Sequence, residues 1–245
     1  MSESSIIRTK VWSELIDVAL PDSRFHLNFS EYIPDFIGST LATDHLVALD
    51  AYKNSRFAFI TPDNCLTDLR YRMICAGIPF VMSTYGIYRG FILMEPGMVP
   101  AGAELSASWL DGMEYYGAPI SLEDIKQRSK FDFMVTGASA VSRQGVRFGK
   151  GHGFFDLEWG MFTDIGAADQ QTPVAALVHD CQFVDDELEP KQTDILVDVV
   201  ATPKHLHTID ARAKRPSGVK WELLTEEQIA STPPLIELKN MLGVV

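Results

Sequence analysis

The sequence is short of positive charge, and this shortage excludes one class of partner. There are 21 Lys and Arg residues against 33 Asp and Glu residues, so the formal net charge is -12 at pH 7. Proteins that bind nucleic acid neutralise phosphates with Lys and Arg and normally have a basic excess. We therefore expect no nucleic-acid partner, and we expect the cations that matter for binding to be gathered locally.

Cysteines and long apolar runs are also scarce. The three cysteines, Cys65, Cys75 and Cys181, form neither a Cys-x-x-Cys pair nor an even set for disulfides. No apolar run approaches the ~18 residues that a membrane-spanning helix needs. The first residues lack the apolar segment of a signal peptide. These absences predict a cytoplasmic protein with no membrane partner.

The chain does contain enough apolar sequence for a sizeable core. It has 245 residues, of which 46% are hydrophobic, and this suits one large α/β domain or two small ones. No repeat or low-complexity linker divides it. We predict a single domain over residues 1–245, with a C-terminal helical extension from about residue 220.

Short apolar runs alternate with helical patterns from residue 55 onward. Residues 55–61 and 78–84 read as strands on either side of a helix over 68–77, which is a βαβ unit. Further strands are predicted over 90–96, 131–141, 173–180 and 194–203. Nearly continuous apolar runs are typical of strands that are covered on both faces. The pattern predicts a three-layer α/β/α sandwich.

Helices are predicted at both ends of the chain. Apolar residues recur near helical spacing before Pro21, at Ile6, Val11, Leu15, Ile16 and Ala19. Near the C-terminus, Pro233 and Pro234 stand where prolines open a helix, and the pattern continues to Leu242. This last helix can pack on its own core or on a second subunit.

Residues 145–156, with the sequence GVRFGKGHGFFD, combine glycines with two cations between a predicted strand and a predicted helix. That helix carries Phe154, Leu157, Met161 and Phe162 on one stripe, with Gly166 as its cap. Glycines let backbone N–H groups approach an anion closely, and the start of a helix favours negative charge. The segment predicts a site for the phosphates of a nucleoside triphosphate; the alternative is a tight turn.

Two standard phosphate motifs do not fit this loop. A G-x-G-x-x-G motif would need glycine where Phe154 stands, and a Walker A motif would need a hydroxyl residue after Lys150. A dinucleotide-binding dehydrogenase is therefore disfavoured, because the acidic residue expected downstream has no proper motif to follow.

The loop does resemble the nucleotide loop of one enzyme family. The run Gly145-x-Arg147-x-Gly149-Lys150-Gly151-x-Gly153-Phe154-x-Asp156 is similar to that of the 5-formyltetrahydrofolate cyclo-ligases. A second block, His179 to Gln182 followed by Asp194, Asp198 and Ala201 to Pro203, resembles a later segment of the same family. The resemblance extends over about residues 5–207 and is strongest from about 130.

This resemblance implies a fold like that of ribose-5-phosphate isomerase and the CoA-transferases. It implies an enzyme that uses ATP and Mg²⁺ to convert 5-formyltetrahydrofolate, or a related N-formyl or heterocyclic acceptor, into a cyclised product. Arg147 and Lys150 are then the catalytic cations, and Asp156 and Asp194 the Mg²⁺ ligands. The implied nucleotide-binding residues are Arg8, Gly145, Arg147, Gly149, Lys150, Gly151, His152, Gly153, Phe154 and Asp156.

The acceptor is predicted at the end of another strand. Tyr85, Tyr88, Arg89 and Phe91 follow the strand of residues 78–84, where open α/β sheets place their ligands. Together with Phe155, these side chains could hold a flat heterocycle such as a pterin or a pyrimidine. An ordinary hydrophobic corner is the alternative.

Several positions depart from the family pattern. Ser4 stands where the family has a lysine, Phe154 and Phe155 where it has tyrosines, and Thr193 where it has a histidine. Residues 64–67 stand where the family has acidic residues, before the helix that ends at Gly77. The sequence resembles a group of cyclo-ligase-like paralogues more closely than it resembles the authentic enzymes. A second hypothesis is therefore a nucleotide-binding protein without ligase turnover, with an accessory role in cofactor metabolism such as that of thiamin.

Two histidine patterns offer other chemistry. His179 and Cys181 would share one face of a strand, which suits a Cys-His nucleophile, but Asp180 would point the other way. His205 and His207 would also share a face, yet no third zinc-like ligand lies nearby in sequence. A strand-end histidine and a solvated loop are the plainer interpretations, and they are the ones we favour.

Overall fold

A computed structural model describes residues 3–210 and 214–243 of the chain. In these ranges the α-helices are α1 Glu3–Leu15, α2 Ser39–Val47, α3 Asp50–Lys53, α4 Thr67–Ala76, α5 Glu104–Ala107, α6 Leu110–Tyr116, α7 Leu122–Lys126, α8 Phe154–Asp164, α9 Glu226–Ser231 and α10 Pro233–Leu242. The strands are β1 Ala58–Ile60, β2 Phe80–Ser83, β3 Phe91–Met94, β4 Ala118–Ile120, β5 Phe133–Thr136, β6 Ala140–Ser142, β7 Arg147–Phe148, β8 Val174–Leu177, β9 Phe183–Val184, β10 Val199–Ala201 and β11 Leu206–Thr208.

A central sheet of eight strands organises the molecule, in the order β11-β10-β8-β5-β1-β2-β3-β4. The five strands from β10 to β2 are parallel, and β11, β3 and β4 add antiparallel edges. The predicted βαβ unit is confirmed as β1, α4 and β2. Since helices cover both faces of the sheet, the predicted α/β sandwich is confirmed as well.

Alternate residues of the central strands supply two separate cores. On one face, the ring of Phe59 meets that of Phe162 from α8 at 4.8 Å between centroids. On the other face, Ile60 packs in the cluster that contains Leu46 of α2 and Leu69 of α4. Strands buried on both faces must be apolar throughout, and this is why the predicted strands read as unbroken hydrophobic runs.

A second sheet of three strands, in the order β7-β6-β9, supports the glycine-rich segment. The prediction of a single strand over 131–141 is wrong. This segment forms two strands, β5 of the large sheet, which ends at Thr136, and β6 of the small sheet, which begins at Ala140. Gly137 lies at the break, where an added Cβ would come within 2.9 Å of Cys65 Sγ. The strand predicted over 194–203 is also shorter than expected and covers only Val199–Ala201.

The N-terminal helix is confirmed, with a correction to its buried face. Ile7, Val11 and Leu15 are buried at a spacing of four residues, whereas Ile6 and Ile16 are exposed. The helix ends at Leu15, before the predicted stop. A four-residue spacing keeps side chains on one face of a helix. Ile7 and Val11 pack against the small sheet, and Leu15 packs against Phe29 and Tyr32, in the segment that follows the helix.

The C-terminal helix is confirmed and packs on this chain. Prolines occupy its first turn, as predicted, and Leu235 and Leu238 are fully buried in the core cluster that contains Phe162. The alternative of packing on a second subunit is therefore not needed to cover these residues. Among the described residues, no helix is both long enough and apolar enough to cross a bilayer.

A buried arginine ties the carboxyl end of β1 to the helical layer. Arg70 on α4 is completely buried and donates hydrogen bonds to the carbonyl oxygens of Thr61, Asp63 and Ser108 at 2.8–3.0 Å. Burial lowers the pKa of Arg70 to about 10, so the side chain stays charged at neutral pH. Its hydrogen bonds fix the loop that follows β1, which borders the site described below.

Replacement of Arg70 by methionine should destabilise the fold by about 3 kcal/mol or more, because three buried carbonyl groups lose their charged donor. Urea unfolding measures this loss. Arg72→Met on the same helix is the matched control: Arg72 forms surface ion pairs with Asp44 and Asp68, whose loss should cost about 0–1 kcal/mol. Equal effects of the two substitutions would contradict the role given to Arg70.

Candidate functional site

Two adjoining cavities meet at the loop before α8. The inner one opens at the carboxyl ends of β1, β2 and β5, the edge where parallel sheets place their ligands. The inner cavity, of about 90 Å³, is lined among others by Arg24, Asp63, Asn64, Ser83, Tyr85, Gly137, Arg147, Gly149, Lys150, Phe155 and Glu158. The outer cavity, of about 420 Å³, is lined among others by Tyr88, Gly151, Asp156, Trp159, Lys220, Leu224, Gln228 and Thr232. His152, Gly153 and Phe154 border both.

The glycine-rich segment has two parts with different structures. Its first part is a hairpin between β6 and β7 that turns at Gly145, whose φ is +82°. An added Cβ at Gly145 would lie 2.6 Å from the carbonyl oxygen of Val197. Gly145 therefore serves a close approach of two backbone segments and lies away from both cavities, and the structure does not bring it to the predicted nucleotide site.

The second part is the loop from Gly149 to Gly153, which leads into α8. Gly151 and Gly153 have φ values of +117° and +68°, a region that favours glycine. Gly153 is the N-cap of α8, and the first N–H groups of a helix have no partners within the helix. Nothing lies within 4 Å of a Cβ added at Gly149. The loop thus combines open space with unpaired backbone donors, as an anion site requires.

Two cations lie at this loop, one from α1 and one from the loop itself. Arg8 of α1 donates from Nε to the carbonyl oxygen of Gly149 at 3.1 Å. Lys150 donates to the carbonyl oxygen of Glu31 at 2.7 Å and lies over the ring of Tyr85 at 4.9 Å. Burial lowers the pKa values of both Arg8 and Lys150, since it disfavours their charged forms. The fold thus brings Arg8, one of the residues predicted for nucleotide binding, into contact with the glycine loop.

Arg147 lies beneath the loop rather than within it. It is a residue of β7, is buried, and donates from Nη2 to Asp156 Oδ1 at 2.6 Å. Its guanidinium stacks on the ring of Phe155 at 4.5 Å. The N–H of Ile195 donates to the same carboxylate oxygen at 3.0 Å. Burial raises the pKa of Asp156, and the charge of Arg147 opposes that effect.

Of the two residues predicted for Mg²⁺, Asp156 lines the outer cavity and Asp194 lines neither cavity. Both contacts of Asp156 fall on Oδ1, which leaves Oδ2 on the side of Gly153. Asp194 accepts one hydrogen bond, from the N–H of Lys191, on Oδ2. The described residues contain no group of three His, Cys, Asp or Glu side chains able to hold a metal by themselves. Mg²⁺ commonly binds through one or two carboxylates and completes its shell with phosphate oxygens and water.

The residues predicted for the acceptor are divided among four places. Tyr85 and Phe155 line the inner cavity, and Tyr88 lines the outer one. Arg89 instead forms a surface ion pair with Glu114. Phe91 is buried in the core against Phe59 and Phe162. Phe91 is a buried residue of strand β3. Neither Arg89 nor Phe91 lines either cavity.

Glu158 is a cavity-lining residue that was not among the residues predicted for the site. It lines the inner cavity from α8 and is 1% exposed. Burial raises its pKa to about 8, against the smaller opposing influence of Ser83 and Arg147. Ser83 lies close enough to have this influence, although the two side chains form no hydrogen bond of acceptable geometry. One signal was present: Glu158 is four residues from both Phe154 and Phe162, on the stripe predicted to be buried.

The block from His179 to Gln182 has a structural role at the edge of the sheet. His179 and Gln182 cap a short 3₁₀-helix, Asp180–Gln182, and Gln182 donates to the carbonyl oxygen of Ala138 at 2.6 Å. His179 Nδ1 lies 3.2 Å from Cys181 Sγ. Burial raises the pKa of the Cys181 thiol to about 12 and lowers that of His179. This is the opposite of what a Cys-His nucleophile needs.

His205 and His207 lie beside each other, with ring centroids 5.6 Å apart. They belong to no cluster of metal-binding side chains within the part of the chain that the structure describes. The ring of His207 packs on that of Phe183 at 4.4 Å. His205 is exposed in a loop, as the plainer interpretation predicts, whereas His207 belongs to β11, which pairs with β10.

Comparison with known proteins shows a match to one family model over part of the chain and to longer relatives over most of it. Residues 103–203 match the model of the 5-formyltetrahydrofolate cyclo-ligase family. The chain is 30% identical over 238 residues to a methenyltetrahydrofolate synthase domain-containing protein of Bos taurus, covering 96% of this chain and 61% of that protein. It is 31% identical over 238 residues to the protein of that name from Homo sapiens, covering 95% and 60%. The chain thus spans about three fifths of the length of these relatives.

A solved structure supports the fold. The NMR structure of the 5,10-methenyltetrahydrofolate synthetase of Aquifex aeolicus matches with a TM-score of 0.52 and 19% identity, covering 90% of this chain and 98% of that one. At this identity the likeness concerns the fold alone. The family resemblance and the fold predicted from the sequence are both confirmed by these comparisons.

The thiol of Cys181 should react slowly with iodoacetamide, and its rate should keep rising with pH toward about 12, because only the thiolate is reactive. The exposed Cys75 should be labelled first, and the buried Cys65 should need unfolding. Mass spectrometry of peptides labelled at several pH values measures these rates. Labelling of Cys181 that already reaches its maximum near pH 7 would restore the nucleophile hypothesis.

Proposed function

We propose, from the 5-formyltetrahydrofolate cyclo-ligase family domain that this chain carries, that the protein is an ATP-dependent enzyme acting on 5-formyltetrahydrofolate or a related N-formyl heterocycle. The observation that carries the proposal is the convergence of Arg8 and Lys150 on one glycine loop at the start of α8, above the buried Arg147. Such an arrangement neutralises and positions phosphates.

The proposed reaction moves the terminal phosphoryl group of ATP to the formyl oxygen, so that a poor leaving group becomes a good one. The second nitrogen of the folate then attacks the activated carbon, and inorganic phosphate leaves with the former formyl oxygen. The products are 5,10-methenyltetrahydrofolate, ADP and phosphate. In such transfers positioning and charge neutralisation supply most of the catalysis.

Each part of the loop has a role in this proposal. The backbone N–H groups of Gly149, Gly151 and Gly153 hold phosphate oxygens, with His152 and Phe154 beside them. Lys150 releases the carbonyl oxygen of Glu31 and turns to the phosphates, because a charged partner is stronger than a neutral carbonyl. Mg²⁺, bound through Asp156 and Asp194, would offset the phosphate charge that the cations leave uncompensated.

The acceptor enters the inner cavity, beside the loop. Tyr85 and Phe155 offer it aromatic faces, and Asn64 lines the same wall. The family tyrosines are here Phe154 and Phe155, which keep the stacking surface and lose the hydroxyl groups. Turnover with 5-formyltetrahydrofolate therefore decides between a true cyclo-ligase and the alternative of a nucleotide-binding paralogue. The absorbance of methenyltetrahydrofolate, formed with ATP and Mg²⁺, is the direct assay.

Lys150→Ala should weaken ATP binding by about 1.5–3 kcal/mol, since one charge-assisted contact to phosphate is lost, and should leave the fold intact. Isothermal titration calorimetry measures the affinity, and thermal unfolding checks the fold. Lys130→Ala is the matched control, because Lys130 forms a surface ion pair with Asp169 and lines neither cavity. Unchanged ATP affinity in Lys150→Ala would show that the loop is only a turn.

A further inference from the structure

Three polar atoms without partners gather at the inner cavity. Among the described residues, five buried side-chain nitrogen or oxygen atoms make no hydrogen bond, and three of them are Ser83 Oγ, Arg147 Nε and Glu158 Oε2. All three residues line the inner cavity, from β2, β7 and α8 respectively. Leaving a buried polar group unpaired destabilises the fold, because the group loses its hydrogen bonds to water. A cost concentrated at one cavity indicates groups kept ready for a ligand.

We propose that Ser83, Arg147 and Glu158 form a subsite that binds the edge of a planar nitrogen heterocycle, one that presents an N–H donor beside a carbonyl or imino acceptor. The Arg147 Nε–H can only donate, whereas the Ser83 hydroxyl and the Glu158 carboxyl can accept. A lactam or amidine edge supplies the matching donor and acceptor side by side. Glu158 and Ser83 are then specificity-determining residues of this chain.

The remaining contacts of Arg147 show why its Nε is available. The Nη2 end is committed to Asp156 and the guanidinium face to Phe155, so the side chain is held in place. Its Nε is nevertheless buried without a partner. A donor that is fixed by its neighbours contributes orientation to a ligand, because little side-chain entropy is lost on binding.

The chemistry of the subsite excludes phosphate as its occupant. The carboxyl group of Glu158 lines the cavity and, with its pKa raised to about 8, is largely protonated at neutral pH. Its carbonyl oxygen can only accept, so nucleotide phosphates, which offer acceptors alone, would leave it unpaired. A bare metal cation is disfavoured as well, because the guanidinium of Arg147 lies in the same wall. The loop donors and Lys150 serve the phosphates instead. A polar ligand that carries both a donor and an acceptor remains.

The walls of the inner cavity favour a ring. Tyr85, Phe154 and Phe155 line the cavity and offer aromatic faces on which a planar ring can stack.

The subsite rests on the proposed function only in identifying this heterocycle as the acceptor. Two sources share the required edge: a fused pteridine and a single-ring aminopyrimidine. The probes are therefore 6-methylpterin, followed by its own fluorescence, and 2-aminopyrimidin-4-one as a competitor. The competitor 2,4-dimethoxypyrimidine has a similar ring and no N–H. ADP, measured by calorimetry, reports the nucleotide site separately.

We expect wild-type protein to bind at least one of the two N–H-bearing probes, and Glu158→Met to weaken that binding at least tenfold while ADP affinity changes less than twofold. Glu158→Gln should retain more affinity than Glu158→Met, because an amide still offers a donor and an acceptor. Ser83→Ala should weaken the probe, whereas Ser139→Ala should not. Ser139 Oγ is also buried without a partner, and Ser139 is not among the residues that line either cavity.

A stability measurement separates recognition from a structural role. Glu158→Met removes an unpartnered buried carboxyl, so its thermal midpoint should equal or exceed that of the wild type. A lowered midpoint with unchanged probe affinity would assign Glu158 to the fold and overturn the inference. Absence of binding by both N–H-bearing probes, or equal competition by 2,4-dimethoxypyrimidine, would overturn it too. Probe binding without ADP binding would sustain the subsite and reject the proposed function; ADP binding alone would do the reverse.

Discussion

The buried ion pair between Arg147 and Asp156 is the interaction on which the rest of the site depends. It joins β7 to the first turn of α8, and the glycine loop, Gly149 to Gly153, lies among the eight residues between the two partners. Because both side chains are nearly excluded from water, with 4% and 12% of their side chains exposed, loss of either partner would leave an uncompensated charge. The pair thus holds both ends of the loop, while glycines let the middle adopt the conformation that an anion site needs.

The same ion pair divides the ligand site by chemistry. On the loop side lie backbone donors, Lys150 and Arg8, which suit phosphate. On the side of the inner cavity lie Glu158 of α8, Ser83 of β2 and aromatic rings, which suit a neutral heterocycle. Arg147 contacts both sides, since its Nη2 pairs with Asp156 and its Nε is left for the inner cavity. A phosphoryl transfer needs donor and acceptor to meet across such a boundary, with the reacting atoms held in line.

Much of the fold was predictable from periodicity. The strands at β1, β2, β3 and β8, the helix α4 between the first two, and the helices α1, α8 and α10 all follow from apolar spacing and from the placement of glycine and proline. The errors have physical causes. Residues 131–141 are apolar throughout, so nothing in their pattern marks the passage from the large sheet to the small one at Gly137. Ile6 and Ile16 are apolar yet exposed, because the adjoining sheet covers only the face of Ile7 and Val11.

The sequence by itself determined the class of fold and the position of the glycine loop before α8, because strand burial, helix starts and glycine conformations are set by residues close together in the chain. It also identified Lys150 and Asp156 as residues of interest. Only the tertiary structure decided which side chains share a cavity. Gly145 faces Val197, Arg89 pairs with Glu114, and Glu158 meets Ser83 and Arg147 from three separate elements. Such meetings depend on how the two sheets and α8 pack together, and local spacing carries no record of that packing.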